Sequence, residues 1–169
     1  MTIRKIKKRG PVVARKVTYN GVTFASGLEK YMYKSLLDAH IDFDYEGETF
    51  ELCPAFDFSN ECYERQSNGK GEFTNRGNKK VLNIKYTPDF IGEDFIIETK
   101  GRANESFPLR WKMFKYTMHM SGDTRTLYKP QNQAECSQTI KLILEKRKDL
   151  PGKSTLKDKL INGLNGLLK

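Results

Sequence analysis

Four residues of this chain combine charge with a spacing that can do chemistry. Asp89, Glu98 and Lys100 flank one apolar stretch, and Glu29 lies further upstream. The stretch runs from Tyr86-Thr87-Pro88-Asp89-Phe90-Ile91 through Gly92-Glu93-Asp94 to Phe95-Ile96-Ile97-Glu98-Thr99-Lys100-Gly101. It reads as two short strands joined by a tight turn. With Gly92-Glu93 as a two-residue loop, Ile91 pairs with Asp94 and Asp89 with Ile96. Side chains on a strand repeat every two residues, so Asp89, Ile96, Glu98 and Lys100 share a face. Asp89 and Glu98 are then diagonal neighbours, with Cβ atoms about 7–8 Å apart, close enough for two carboxylates to grip one cation. A three-residue loop would reverse the parity and break the group. Oxygen ligands with room for waters suit Mg²⁺ or Mn²⁺. A lysine beside such an ion can orient or deprotonate an attacking water, or neutralise charge on a phosphate. That is the chemistry of phosphodiester hydrolysis. The bland alternative is a surface hairpin ending in an ordinary Glu–Lys pair.

Glu29 has two readings. A helix is expected from Ser26 to about His40, and Ser26 with Glu29 three residues on has the spacing of a capping box. On the helical wheel, however, Glu29 falls inside the apolar arc of Leu28, Met32, Leu36 and Ala39, widened by Tyr33 and Leu37. A carboxylate on a buried face needs a partner or a metal. Both readings stay open on the sequence.

The elements that must position these residues are set out along a chain of 169 residues, 37% apolar and 30% charged, which fits one small domain with tails. No apolar run is long enough to span a membrane, and no apolar segment of a signal peptide follows the basic N-terminus. Cys53, Cys62 and Cys136 are scattered, with no Cys-x-x-Cys pair, and read as reduced thiols of a cytoplasm; the spacing does not suit zinc. The net charge is +9. Residues 1–28 hold seven bases and no acid, and residues 141–169 are net +5, so the middle is net −3. Cationic ends around a nearly neutral body attract a polyanion through counterion release. Solubilising tails are the alternative.

Residues 1–16 read as a flexible basic arm, broken at Gly10-Pro11. Asn20-Gly21 between Val17-Thr18-Tyr19 and Val22-Thr23-Phe24 marks a small hairpin. Ile41–Tyr45 leads into Glu48–Leu52, which alternates like a strand with one wet face and ends at Cys53-Pro54. Residues 53–80 form an excursion rich in turn formers, with Phe56, Phe58, Tyr63 and Phe73 pointing to short strands or a packed excursion. Its basic tip, Arg76, Lys79 and Lys80, is a candidate DNA contact or a solvated loop. A helix is expected from Pro108 to Met120, buried through Trp111, Phe114 and Met118 and basic through Arg110, Lys112 and Lys115. A strand at Thr124–Lys129 and a helix over 132–148, apolar at Ile140, Leu142, Ile143 and Leu144, complete the body. Residues 149–169 form a basic tail. Helices and strands in this order predict a mixed α/β (α+β) fold, one central mixed sheet flanked by helices.

The run Pro88-Asp89, then Glu98-Thr99-Lys100, resembles the PD-(D/E)xK nuclease superfamily. Tyr86-Thr87-Pro88-Asp89-Phe90 followed by Glu98-Thr99-Lys100-Gly101, with Ser26-Gly27-Leu28-Glu29, looks most like the phage endonuclease I family of Holliday-junction resolvases, and small phage nucleases carry a comparable excursion. The resemblance covers roughly Phe24 to Lys129; the excursion and the C-terminal end depart from it. It implies a restriction-endonuclease-like core over residues 17–148 and a metal-dependent DNA endonuclease working in a bacterial host's cytoplasm. Asp89 and Glu98 would hold Mg²⁺ (or Mn²⁺), with the carbonyl of Thr99 a further ligand. Lys100 would position the water, and Glu29 would bind a second ion or its waters. DNA, branched or duplex, would meet Lys5, Lys7, Lys8, Arg9 and Lys16 of the arm and Arg102, Arg110, Lys112 and Lys115 near the second helix. Paired cuts imply a homodimer. Two alternatives are a catalytically silent basic DNA- or RNA-binding module on the same fold and a restriction-type, sequence-specific enzyme.

Overall fold

The computed structural model describes residues 15–101 and 103–149. The fold is mixed α/β, with three helices and twelve short strands among the described residues. The expected arm, up to residue 14, the tail from residue 150 and Arg102 lie outside the described residues, so Lys5, Lys7, Lys8, Arg9 and Arg102 do too. Two compact units divide the rest: residues 15–43, 97–101 and 128–149 form the first, and residues 44–96 and 103–127 the second.

In the first unit, β1 (Val17–Tyr19) and β2 (Val22–Phe24) pair antiparallel, Tyr19 facing Val22. Asn20 and Gly21 between them both take positive φ, 48° and 78°, as a twist-matched two-residue turn requires. Helix α1 (Gly27–Asp38) buries Met32 and Leu36, as expected, and exposes Leu37. Tyr33 on its other flank meets the rings of Tyr19, Phe24 and Phe43 at centroid distances of 6.4, 5.0 and 5.2 Å. Helix α3 (Gln133–Lys148) packs on α1, and Tyr31 and Ser137 share a hydroxyl hydrogen bond of 3.1 Å between them. Of the four apolar residues expected in α3, Ile143 lies on its buried face. Cys136, Thr139 and Ile143 are buried, while Leu142 and Leu144 are exposed. A run of adjacent leucines and isoleucines does not reveal which face turns inward; the 3-and-4 spacing from Cys136 does.

A four-stranded sheet has the order β12 (Thr126–Tyr128), β11 (Phe95–Ile97), β10 (Phe90–Ile91), β3 (Asp44–Tyr45). β10 and β3 are antiparallel, Phe90 facing Tyr45. Along β11 and β12 the hydrogen bonds climb together: Thr126 N–H to Asp94 C=O, Glu98 N–H to Tyr128 C=O, Lys100 N–H to Pro130 C=O, each 3.0 Å. That ladder is parallel, and it makes β11–α2–β12 a crossover unit and the sheet mixed. All of β11 is buried, so its unbroken apolar run is what a strand covered on both faces needs.

The turn into β11 corrects one expectation. Gly92 N–H donates to Phe95 C=O at 2.9 Å, so Glu93 and Asp94 form the loop and Gly92 faces Phe95. A side chain at Gly92 would run into the Phe95 ring. The pairing is therefore displaced by one residue on each strand, but the loop keeps two residues and so keeps its parity.

The second unit has its core between α2 (Phe107–Ser121) and β4 (Phe50–Cys53) with β9 (Ile84–Tyr86). Trp111, Phe114 and Met118 are buried there beside Tyr86, Ile96 and Phe107, and Phe50 packs edge-on to Phe114 with centroids 4.8 Å apart. Gly122 ends α2 in the left-handed conformation at φ 69°. Of the two expectations for residues 53–80, short strands are what forms, not a packed excursion. They continue β4 and β9 into a two-stranded ribbon, β5 (Phe56–Phe58) with β8 (Lys79–Val81) and then β6 (Tyr63–Glu64) with β7 (Thr74–Asn75), all antiparallel.

Candidate active site

Glu98, Thr99 and Lys100 leave the buried strand β11 together. The two N–H groups that flank Thr99 are tied to the carbonyls of Tyr128 and Pro130, which holds the segment extended after the strand ends. Glu98 is only 4% exposed and Thr99 5%. Lys100 is half-buried and brings its Nζ to 3.5 Å from Glu98 Oε1. An ionised carboxylate in such a place is costly without compensation, and the ammonium offsets part of that cost. The expected Glu–Lys association is thus present, but it is not a surface pair: its acid is inside the protein.

Glu29 sits at the start of α1 and is 7% exposed. Ser26 Oγ accepts from Glu29 N–H at 3.2 Å. In return Glu29 accepts from Ser26 Oγ at 2.9 Å through one oxygen and from Ala25 N–H at 2.9 Å through the other. The capping role is therefore realised, and it supplies the partner that a carboxylate on the buried arc needs. Asp89 is held differently. Pro88 before it is fully buried, Phe90 after it lies in the core, and its own carbonyl accepts from Glu46 N–H at 2.9 Å. Asp89 belongs to the second unit, whereas Glu29, Glu98, Thr99 and Lys100 belong to the first.

The donor set is carboxylate and carbonyl oxygen, which fits a hard cation such as Mg²⁺ or Mn²⁺ and not a thiophilic one. Among the described residues, no group of three or more His, Cys, Asp or Glu stands together at metal-binding spacing. Cys53, Cys62 and Cys136 are free thiols, the last fully buried.

The bases expected to meet DNA divide into two kinds. Lys16, Arg110, Lys112 and Lys115 are all exposed, and the two kinds differ only in what they touch. Arg110 donates through its guanidinium to the Lys85 carbonyl, and Lys115 lies over the Trp111 ring at 5.7 Å, so both also brace α2 within its own unit. One charged cluster escaped the sequence reading. Arg125 grips Asp123 with a 2.6 Å contact, reaches Glu48 at 2.8 Å and covers the Phe50 ring. Hydrogen bonds from Arg125 hold the Asp123 carboxyl below the usual carboxylate range, and the two acids raise the guanidinium in turn. Asp-x-Arg after a helix-ending glycine was the available signal. The cluster clasps two loops of the second unit and is structural.

No helix among the described residues is long and apolar enough to cross a membrane. No curated protein and no solved structure matches the chain. One family model does, over residues 9–131, a stretch that contains Glu29, the ribbon and the whole Asp89–Lys100 segment; the chain belongs to the family described as "Protein of unknown function (DUF1064)".

Proposed function

We propose that this protein is a metal-dependent DNA endonuclease, selective for DNA structure in the manner of a junction resolvase, and that it works as a homodimer in the cytoplasm of a bacterial host. The observation that carries the reading is Glu98. A carboxylate ending a core strand at 4% exposure, next to a lysine 3.5 Å away, is an expensive arrangement for a purely structural hairpin. The two-residue loop supports it further, because a three-residue loop would have put Asp89 on the wrong parity.

Asp89 and Glu98 would hold the ion, with the Thr99 carbonyl as a third donor. Bound there, Mg²⁺ supplies Lewis-acid polarisation of a phosphoryl oxygen. Lys100 orients the attacking water and balances the charge that gathers on the phosphate. Water oxygen bonds to phosphorus, the bond to the leaving deoxyribose oxygen breaks, the attacking water gives its proton to solvent, and the leaving oxygen takes one up from solvent. Glu29, anchored by its cap, would order the waters of a second ion. The exposed Lys16, Arg110, Lys112 and Lys115, with the basic ends of the chain, draw in the phosphate backbone without reading sequence.

The test is cleavage of a labelled four-way DNA junction beside a linear duplex of the same sequence, each in Mg²⁺ and in EDTA. Glu98→Gln and Lys100→Ala should each lower metal-dependent cutting by about a hundredfold or more while DNA affinity holds, because the basic surfaces are untouched. Cutting at the wild-type rate by either variant overturns the site. Cutting of both substrates keeps the nuclease and removes the junction preference. Binding without cutting in Mg²⁺ and in Mn²⁺ replaces the reading with a catalytically silent binding module.

A further inference from the structure

The ribbon of the second unit leaves large rings in water. Tyr63 is 56% exposed and Phe73 66%, and their rings stand 6.2 Å apart near the tip. Nearer its base, Phe56 pairs with Val81 across the strands, and both are exposed. A two-stranded ribbon buries neither face by itself, and rings exposed in this number on a short element mark a surface that meets something.

Charge and strand parity together indicate what it meets. Phe58 pairs with Lys79, two residues from the Phe56–Val81 pair, so a lysine shares the ring-bearing side. Asp57 pairs with Lys80 and falls on the opposite side. At the tip Glu64 alternates with Tyr63 and turns away from the rings in the same way. Residues 50–64 carry only acids, at Glu51, Asp57, Glu61 and Glu64, whereas residues 65–85 carry six bases against Glu72 alone. Within the segment at the ribbon's base Lys79 shares the side of the rings and Asp57 takes the other, and within the tip segment Glu64 turns away from Tyr63. Rings with basic side chains close by are the pattern that stacks bases and steadies phosphates.

We infer that the exposed rings of this ribbon bind a nucleic-acid strand with accessible base faces, such as a single strand or the splayed bases of a branch point. The inference rests on the phosphodiesterase reading for its biological use but not for its physics. Tyr63 and Phe73 stack on bases, and Lys79 contributes a charge for the backbone phosphates. A fully paired duplex offers the same surface only its phosphates.

Fluorescence anisotropy of the full chain with a labelled oligothymidylate, in EDTA and at fixed low salt, tests it. Tyr63→Ala and Phe73→Ala should each weaken binding about tenfold, the scale of one stacked base, with blunt duplex affinity changing by less than about twofold. Tyr63→Phe should restore the affinity. Both rings are exposed, so circular dichroism and Tm should stay at the wild-type values and exclude misfolding. Unchanged affinity in both alanine variants overturns the inference, as does a wild-type protein that ignores the oligonucleotide. Loss of a dimer by sedimentation with DNA affinity intact also overturns it and gives the surface to a second copy of the chain. Because no metal is present, a failed nuclease reading shows itself separately: Glu98→Gln would bind like wild type, and the wild type would simply not cut in Mg²⁺.

Discussion

Helices α1 and α3 begin with the same device. At each start, a polar N-cap accepts the N–H three residues on, Ser26 from Glu29 at 3.2 Å and Asn132 from Glu135 at 2.9 Å. Each glutamate answers through both oxygens. Glu29 takes Ala25 N–H and Ser26 Oγ; Glu135 takes Gln131 N–H and Asn132 Nδ2, both at 2.7 Å. The two differ in depth. Glu135 keeps part of its surface in water, whereas Glu29 is buried. A cap performs its task at the surface, so hydrogen bonding explains both carboxylates and burial singles out one. The comparison shows that a motif can be fully satisfied by local structure and still leave its location to be explained.

The strongest way to break the comparison is to neutralise each carboxylate while keeping its shape. Glutamine serves at this position of a capping box, so Glu29→Gln and Glu135→Gln should both stay folded with little change in Tm. Under the proposed function, Glu29→Gln should cut the labelled junction about a hundredfold more slowly and Glu135→Gln at the wild-type rate. Equal rates for the two would reduce Glu29 to a cap. A smaller effect is expected from the caps themselves. Ser26→Ala and Asn132→Ala should each cost about 0.5–2 kcal/mol in urea unfolding, because each strips a backbone donor of its acceptor. A cost at only one helix would show that the two starts are not energetically alike.

The smallest effect concerns Cys136, the residue after Glu135. Burial, and secondarily the Glu135 charge, push its thiol up to about 11. Its folded pKa is raised, so the stability it contributes is complete below the ordinary thiol range, near 8.5, and is lost as pH climbs through about 11. Thiol labelling of the folded protein at pH 8 should therefore modify Cys53 and Cys62 first and Cys136 last. Asn132→Ala should speed the third reaction by loosening the first turn of α3. Three thiols labelling at one rate would mean that this turn is open in the native state.

Much of the scaffold was legible because local chemistry specified it. Asn20-Gly21 demanded a tight turn, Ser26-x-x-Glu29 a helix start, and Trp111, Phe114 and Met118 a buried stripe, and all three are present. The cap of α3 was equally legible in Asn132-x-x-Glu135 but passed unread. The buried face of α3 was not legible, because four neighbouring aliphatic residues cannot all point one way.

By itself the sequence determined the mixed α/β class, the alternation of helices and strands, and the company Glu98, Thr99 and Lys100 keep, since adjacency along one strand end needs no tertiary information. Only the tertiary structure decided the register at Gly92, the exposure of the ribbon and the depth of Glu98. The reason is physical. Register depends on which backbone groups meet across a turn, and burial depends on what covers a strand. β11 lies between β10 and β12 and its residues are buried, whereas β5 and β6 each have a single partner and leave their rings in water.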